Sequence, residues 1–564
     1  MTNDNKRIVF FGAGEASEFA LSYANIRKLE VDCFVDNDPA KWGSKMYGLE
    51  VLPPEHLMKY NAGEIEIMVT VGPGEQEKIM GQLSAMGFWY GETVSTCHEK
   101  SQGDTLPRIA VTGHMPASEK GLTLMKKPLA DCPIFVDDAK EYVYRVVSHD
   151  KCEQVRSMYE CIESNESLRK MMVPTQIAGG DRWGRLSPLA LKHKYLSPIS
   201  YVPEWPFAMV RDYVLFMVDL LSRLDEAGLG LRDFGSLNTV FHGGGFVYID
   251  YTGMSLQKTY PIIIQRFMET HINPLLLMSK AQGKGYLYLK NPVYLLKYND
   301  FSGYLNDAEK TAYLTARDKC LELSAKGSVS ECCALLKDYI KTDVPKRSGL
   351  TDWDGYQSGL WRNMGNPDNW TPKQHAVIKL ARRTSAGTMM DLAGNEGWYC
   401  FAMADALKYA ITADVDPGAA DKAYEKVVDS GTGNIIPLMF DLTMPLPAFA
   451  GGRNSLSCTY DAAIRLKCDL VLALAIVHHL TLSQGLCFDE TVAQLAMYTN
   501  KHMIVEFCDR DDTWVAPILK QYPKEHVKWY TKNNFELALG KTFNIVETIP
   551  SETDTRILYL CEKK

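Results

Sequence analysis

Four times in its last third the chain runs a short apolar segment into an acidic residue, a turn of small residues or a pair of histidines. Thr388–Leu392 leads into Asp391-Leu392-Ala393-Gly394-Asn395-Glu396-Gly397. Ala410–Ala413 ends at Asp414, and Ile435–Phe440 ends at Asp441. Asp469–Ala475 is followed by His478 and His479. Strand and helix patterns that alternate in this way specify a parallel α/β sheet covered on both faces. Such a sheet binds ligands beyond the carboxyl ends of its strands, where all four junctions fall. His502–Glu506 and Thr555–Leu560 read as the strands that complete it.

The run from Asp391 to Gly397 resembles the "D-x-G-x-G/N-x-G" turn of the Rossmann-like, class I S-adenosylmethionine-dependent methyltransferases, with Ala393 in place of the first glycine. The resemblance implies that Asp391, Ala393, Gly394, Asn395 and Gly397 lie against the cofactor, with small residues allowing the backbone to approach it. Asp414 lies 23 residues beyond Asp391, where a carboxylate can accept ribose hydroxyls. Asp416 competes with it for that role, and Asp441 would lie beside the adenine edge. A sulfonium already activates its methyl group, so such an enzyme mainly aligns the reactants and excludes water. An oxygen nucleophile gains from a base, for which His478 or His479 is placed; alternatively both rings pack. Glu506 either orients the acceptor or satisfies a buried network. Tyr356, Trp361 and Trp370 either cover the cofactor or pack a seam between domains.

At the front of the chain, the strand Arg7–Phe11 runs into Gly12-Ala13-Gly14-Glu15-Ala16-Ser17, followed by an amphipathic stretch to about Leu29. A second strand, Val31–Val35, ends at Asp36, 22 residues after Gly14, and a third covers Glu66–Val71. This is the order in which a glycine turn brings backbone N–H groups to a phosphate and an acid reaches a ribose. The fingerprint is incomplete, because Ser17 stands where the last glycine belongs. Asp36-Asn37-Asp38-Pro39-Ala40-Lys41-Trp42-Gly43 and Gly48-Leu49-Glu50-Val51 resemble the small Rossmann-like domain of PglD-type sugar acetyltransferases and of sugar C-methyltransferases. The resemblance implies a pocket for NAD(P) or a nucleotide sugar at Gly12, Gly14 and Asp36. The alternative is a docking module that binds nothing.

In the middle of the chain, Leu231-Arg232-Asp233-Phe234-Gly235-Ser236-Leu237-Asn238 is followed by a glycine turn, a strand and Asp250. Kinases use this layout: one Asp takes the hydroxyl proton, and an Asn and a second Asp hold Mg²⁺ on the ATP phosphates. Asp233, Asn238 and Asp250 fill those places, with Asn238 and Asp250 as the metal ligands. Leu231 stands where the kinase pattern has His, Tyr251-Thr252 where it has Phe-Gly, and no glycine-rich loop precedes. The strand Tyr142–Val147 offers Arg145 where a lysine is expected; Lys192 or Lys194 could replace it. Val173-Pro174-Thr175, Tyr201 to Asp212, Leu231 to Asn238, Phe246 to Asp250, Gln265-Arg266-Phe267 and Asn273 to Leu276 then occur in order. With Asp391 to Gly397, Ala413 to Pro417, Asp441 to Pro445, Leu470 to Leu480 and Glu506-Phe507, they resemble the NoeA-like family of bacterial methyltransferases with a kinase-like front half. The kinase half is either an active phosphotransferase or a binding pseudokinase.

The expected architecture is an α/β multidomain chain. It comprises a Rossmann-like domain (1–105), a kinase-like α+β domain with a helical extension (106–345) and a class I methyltransferase domain (346–564). Helices are expected at Asn306–Leu323 and Val329–Ile340 and a linker at Glu99–Pro107. Lys plus Arg is 61 and Asp plus Glu 69, so the net charge is −8, unsuited to a nucleic-acid partner. No apolar run approaches the roughly 20 residues of a membrane span. Fourteen scattered cysteines without a CxxC pair read as reduced thiols in the cytoplasm. The expected activity is methyl transfer to a sugar or glycan-linked small molecule, at oxygen, by a protein that could form a homo-oligomer. The alternatives are a bifunctional kinase–methyltransferase and a non-catalytic nucleotide-binding scaffold.

Overall fold

The computed structural model describes residues 7–14, 17, 31–60, 65–71, 73–88, 94–96, 122–126, 134–147, 151–178, 189–256, 261–281, 295–344, 351, 353, 355–445, 449–450, 458–459 and 462–564. The stretch from Glu18 to Glu30 and the expected linker lie outside them. The chain divides into two compact units, residues 1–117 with 447–460, and residues 118–446 with 461–564. The regions expected to part at 345/346 therefore share one unit.

The first unit carries β1 (Arg7–Phe11), β2 (Val31–Val35), β3 (Lys45–Met46), β4 (Leu49–Leu52), β5 (Ile65–Val69) and β6 (Val94–Thr96). Their order is β3-β4-β2-β1-β5-β6, parallel from β4 to β6. Val9 and Phe11 belong to one apolar cluster and Ile8 and Phe10 to another, so β1 is buried on both faces. This explains its unbroken apolar run.

The second unit begins with β7 (Leu122–Lys126), β8 (Ile134–Asp137), β9 (Tyr142–Val146), β10 (Thr175–Ile177) and β11 (Ala190–Lys194). They form an antiparallel sheet in the order β10-β11-β9-β8-β7, and the helix Cys152–Ser164 lies between β9 and β10 in sequence. The helix Phe207–Glu226 follows. Phe207, Val210, Val214, Met217, Leu221 and Leu224 line its buried stripe at helical spacing. Short strands β12 (Gly230–Leu231) and β15 (Met254–Ser255) pair with each other, and β13 (Thr239–His242) and β14 (Gly245–Tyr248) form a hairpin between them. Gly243 and Gly244 turn that hairpin at φ +64° and +81°, as a two-residue turn of positive φ requires. The expected helices are Asp307–Ala325 and Val329–Thr342, the latter preceded by Ser328 at its N-cap.

The carboxyl-terminal sheet holds β16 (Thr388–Leu392), β17 (Tyr409–Asp414), β18 (Ile435–Met439), β21 (Cys468–Ala473), β22 (Thr499–Cys508), β23 (Phe543–Pro550) and β24 (Arg556–Lys563). The intervening pair β19 (Phe449–Ala450) and β20 (Cys458–Thr459) falls in the first unit. The sheet order is β18-β17-β16-β21-β22-β24-β23, parallel up to β22 and antiparallel at β24 and β23. This doubly wound, Rossmann-like order is the α/β sheet that the alternating strand and helix pattern predicts for the end of the chain. From β16 the chain winds one way to β18 and then returns to β21, which makes the carboxyl ends of β16 and β21 the switch point where such sheets hold ligands. One continuous core runs from Val147 to Cys561, which is why the middle and carboxyl-terminal regions form a single unit. No described helix is long and apolar enough to cross a membrane, and the described cysteines are free thiols.

Candidate active site

A cavity of about 290 Å³ opens over the carboxyl ends of β16, β17, β18 and β21. Ala393, Asn395, Asp414, Asp441, His478 and His479 line it. Asp391, Gly394 and Gly397 stand behind the wall and shape it. Gly394 is required sterically: an added Cβ would lie 2.7 Å from Thr412 Oγ1 and 3.0 Å from Asp391 Cγ. Ala393, Asn395 and Gly397 all have left-handed backbones, at φ +58°, +51° and +86°. Ala393 thus departs from the glycine pattern in sequence while keeping the glycine conformation, at a small cost in strain. Gln357, which the sequence reading did not single out, braces the turn. Its Nε2 donates to Gly394 O at 3.2 Å, and its Oε1 accepts from Trp398 N at 3.4 Å. Gly394→Ala is expected to destabilise the protein by about 1–3 kcal/mol, the usual penalty of overpacking. Thermal unfolding checks this, and adding Thr412→Ala should recover part of the loss.

Asp414 and Asp416 divide their duties. Asp416 caps the helix Pro417–Ser430, accepting from Ala419 N at 2.8 Å and Thr351 Oγ1 at 2.8 Å, and takes no part in the cavity lining. Asp414 lies in the wall, accepting from Asn395 N at 2.8 Å and Asp416 N at 2.8 Å. Burial pushes its carboxyl up to about 6 despite those hydrogen bonds. Asp391 is fully buried, its Oδ2 has no hydrogen-bond partner, and burial together with the nearby Asp414 pushes it up to about 8. Asp441 closes a turn, accepting from Thr443 N at 2.8 Å and Thr443 Oγ1 at 2.6 Å.

The two histidine rings lie side by side, with centroids 4.3 Å apart. Burial lowers both, and with His479 and Arg556 nearby His478 falls to about 3, so both are neutral at pH 7 and His478 is the weaker base of the two. His478 Nδ1 is buried without a partner. Glu506 does not join them. It is fully buried, with Lys373 Nζ 2.6 Å from Oε2 and Ser551 Oγ donating to Oε1 at 2.6 Å, and it is not among the residues lining the cavity. Of the three expected aromatics only Tyr356 reaches the cavity. Trp361 packs on Phe401 and Trp370 on Trp398, as interior ballast. Trp353 and Trp514 complete the aromatic lining in their stead, 6.3 Å apart, and Arg556 joins them. Trp514 and Arg556 come from outside the four junctions, so no motif marked them.

In the middle region Asp233, Asn238 and Asp250 converge around two glycines. A Cβ on Gly253 would lie 2.9 Å from Asp250 Oδ2 and 3.4 Å from Asp233 Cβ; one on Gly235 would lie 3.1 Å from Asp233 Oδ1 and 3.5 Å from Asn238 Nδ2. Arg145 on β9 is the basic residue that reaches Asp250, bonding its Oδ1 and, at 2.6 Å, Thr252 Oγ1. Lys192 instead lies over the Tyr142 ring at 3.6 Å. Burial would raise the Asp250 carboxyl, but Arg145 and Thr252 outweigh it and hold it below the usual range. Among the described residues no cluster of three or more His, Cys, Asp or Glu side chains is placed to hold a metal ion.

In the first unit Gly12 has φ +114°, and a Cβ there would lie 2.5 Å from Val71 Cγ1. Asp36 braces that turn, accepting from Ala13 N at 2.6 Å and Asp38 N at 2.8 Å, with Lys41 Nζ 3.0 Å away. Burial opposes its ionisation; these donors outweigh it and hold it below the usual range. Gly14 accepts from Ser17 N at 3.0 Å.

No family model matches the chain. It is similar to the nodulation protein NoeA of Rhizobium meliloti (strain 1021), with 25% identity over 394 residues that take in 66% of this chain and 82% of that protein. Among solved structures it is similar to magnesium protoporphyrin IX methyltransferase (ChlM) from Synechocystis PCC 6803 with bound SAH, at 15% identity over 41% of this chain and 99% of that one, TM-score 0.26. It is likewise similar to the N-methyltransferase NodS from Bradyrhizobium japonicum WM9, at 12% identity over 34% of this chain and 93% of that one, TM-score 0.24.

Proposed function

We propose that the chain is an S-adenosylmethionine-dependent methyltransferase acting on a hydroxyl of a sugar or glycan-linked small molecule. The observation that carries this reading is the cavity at the switch point, with Asp414 in its wall and the strained, small-residue turn Ala393–Gly397 beside it. The residues fit the cofactor. Asn395 lines the cavity and its buried Oδ1 has no protein partner, which leaves an acceptor for the cofactor's amine. Asp414 would hold the ribose, Asp441 the adenine edge and the Ala393–Asn395 backbone the amino-acid part. The cofactor, when bound, supplies a methyl group on a sulfonium. The protein's part is to exclude water, align the acceptor oxygen and take its proton.

His479 and His478 border the cavity; His479 is neutral and placed to accept that proton, while His478, pushed down to about 3, is the weaker base. Trp353, Tyr356 and Trp514 support a carbohydrate acceptor, because flat aromatic faces pack against the apolar faces of sugar rings while leaving hydroxyls exposed. Ser483 and Gln484 add hydrogen-bonding groups to the same lining.

The middle region is read as kinase-like and accessory. Supporting that reading are the five-stranded sheet with its helix between the third and fourth strands and the convergence of Asp233, Asn238 and Asp250. ATP with Mg²⁺ does not fit this arrangement as it stands: Asp250 Oδ1 is already committed to Arg145 and Thr252. No phosphoryl transfer is assigned to it. The first unit is read as a Rossmann-like module whose Asp36 is spent on its own turn, which weighs against NAD(P) or a nucleotide sugar as its ligand.

Calorimetry on the full chain tests the main reading. S-adenosylmethionine and its demethylated product should each bind one site. Absence of binding by both on folded protein would overturn the assignment. His479→Ala or His478→Ala, whichever removes the base, should lower kcat about 10²-fold, with cofactor affinity retained.

A further inference from the structure

We propose that the acceptor carries an anionic group, a carboxylate or a phosphate, and that Arg556 binds it. The proposal rests on the methyltransferase reading and names its substrate class. The cavity has two chemically distinct ends. Asp414 and Asp441 stand at the tips of β17 and β18. His478 and His479 follow β21, Trp514 lies beyond β22, and Arg556 opens β24. Four strand spacings separate β17 from β24 in the sheet order, about 19 Å at roughly 4.8 Å each. The acidic end suits a nucleoside, with its hydroxyls and amine. The end with the guanidinium faces whatever receives the methyl group.

Arg556 is held in one orientation. Asp512 accepts from its Nε at 2.7 Å and from its Nη2 at 3.2 Å. Asp512 is itself fixed by Thr555 Oγ1 at 3.0 Å and Trp514 N at 3.0 Å. The two side chains are 13% and 2% exposed, so the pair is built into the wall rather than trailing in solvent. Asp512 occupies one edge of the guanidinium fork. Nη1 and the second Nη2 hydrogen have no protein acceptor among the described residues, although Arg556 borders the cavity. A planar fork preset in this way favours a carboxylate or phosphate over a neutral hydroxyl, because bonds to an anion are both shorter and stronger. The two histidines beside it are uncharged and do not compete for the anion. Among the described residues that line the cavity, Arg556 is the only Lys or Arg.

The test uses the full-length protein loaded with S-adenosylhomocysteine and follows tryptophan fluorescence, since Trp353 and Trp514 border the site. Glucuronate, glucose 1-phosphate and glucose are titrated separately. At least one anion should bind about tenfold or more tighter than glucose. A preference for glucuronate identifies a carboxylate acceptor, and one for glucose 1-phosphate a phosphorylated acceptor. In the paired variant Arg556→Met with Asp512→Leu, which removes both charges together, the preference should vanish while S-adenosylhomocysteine still binds. Equal affinity for glucose and both anions, no anion binding at all, or a preference that survives in the paired variant would each overturn the proposal. Failure of S-adenosylhomocysteine to bind the parent would instead count against the methyltransferase reading itself.

Discussion

Replacing Asp414 by alanine should weaken S-adenosylmethionine binding by 10²- to 10⁴-fold, on the order of 3–6 kcal/mol, since each hydrogen bond to a charged group contributes about 1.5–3 kcal/mol. The carboxylate is placed to take two ribose hydroxyls on lone pairs that Asn395 N and Asp416 N leave over. Its neighbour supplies the control. Asp416→Asn preserves a good helix cap and should shift the dissociation constant by only a few-fold. The affinity should also follow pH. Asp414 is pushed up to about 6, so below that value the apo protein holds a proton that must leave before the carboxylate can accept both hydroxyls. Affinity is therefore expected to fall about tenfold per pH unit below 6 and to level off above 7. Stability runs the other way. A carboxyl raised in the folded state stabilises below its unfolded value and loses that contribution as pH rises through its folded value. With Asp414 at about 6 and Asp391 at about 8, the apo protein should lose stability from about pH 4 upward, most steeply below 6 where both carboxyls contribute, and level off above about 8. Calorimetry across that range, paired with thermal unfolding, separates the two trends. An Asp414→Ala variant that binds as tightly as the parent would remove the ribose assignment.

How much of this was legible in the sequence depends on burial. β16 and β21 are central and parallel, so both faces are apolar; β16 carries Asp391 next to its last residue, and His478 follows five residues after β21 ends. Strand and site could be read together there. β23 is an edge strand with Asn544, Ile545, Val546 and Thr548 exposed; with little buried surface it left no apolar pattern to read. The same logic separates the site residues. Asp414, Asp441 and the two histidines lie at strand ends, where spacing predicts function. Arg556 and Trp514 reach the cavity only through the pairing of β22 with β24, where Cys508 opposes Arg556, and no linear spacing encodes such a register. Glu506 misled for a related reason. It lies within β22, where buried acids need partners, and it has them in Lys373 and Ser551. The expected boundary at 345/346 follows a change of sequence pattern, whereas the core ignores it. Phe241 packs against Tyr424 at 6.0 Å between ring centroids, and a Cβ on Gly433 would lie 3.0 Å from Gly243 O.

That shared core makes a second large effect predictable. Arg465 and Glu204, 261 residues apart, form a doubly hydrogen-bonded pair whose side chains are 5% and 4% exposed. Arg465 also donates to Ile199 O at 2.8 Å and lies over the Tyr201 ring at 4.4 Å. Asp212 accepts from Tyr424 OH at 2.9 Å, and Asp421 from Ala208 N at 2.8 Å, so the helix Pro417–Ser430 is held along the same seam. That helix is capped by Asp416, two residues beyond Asp414, so the seam that joins the regions also steadies the end of β17 that lines the cavity. Arg465→Met leaves Glu204 buried without its cation, and the loss should be about 3–5 kcal/mol, well beyond the ~1 kcal/mol of an exposed pair. Removing the second charge as well, with Glu204→Leu, should restore most of the stability, because two buried ions replaced by apolar groups no longer incur desolvation. Thermal unfolding of the parent, the single and the double variant measures both steps. A single variant within 1 kcal/mol of the parent would mean that the pair is solvated and that the two regions are held together by their apolar core alone.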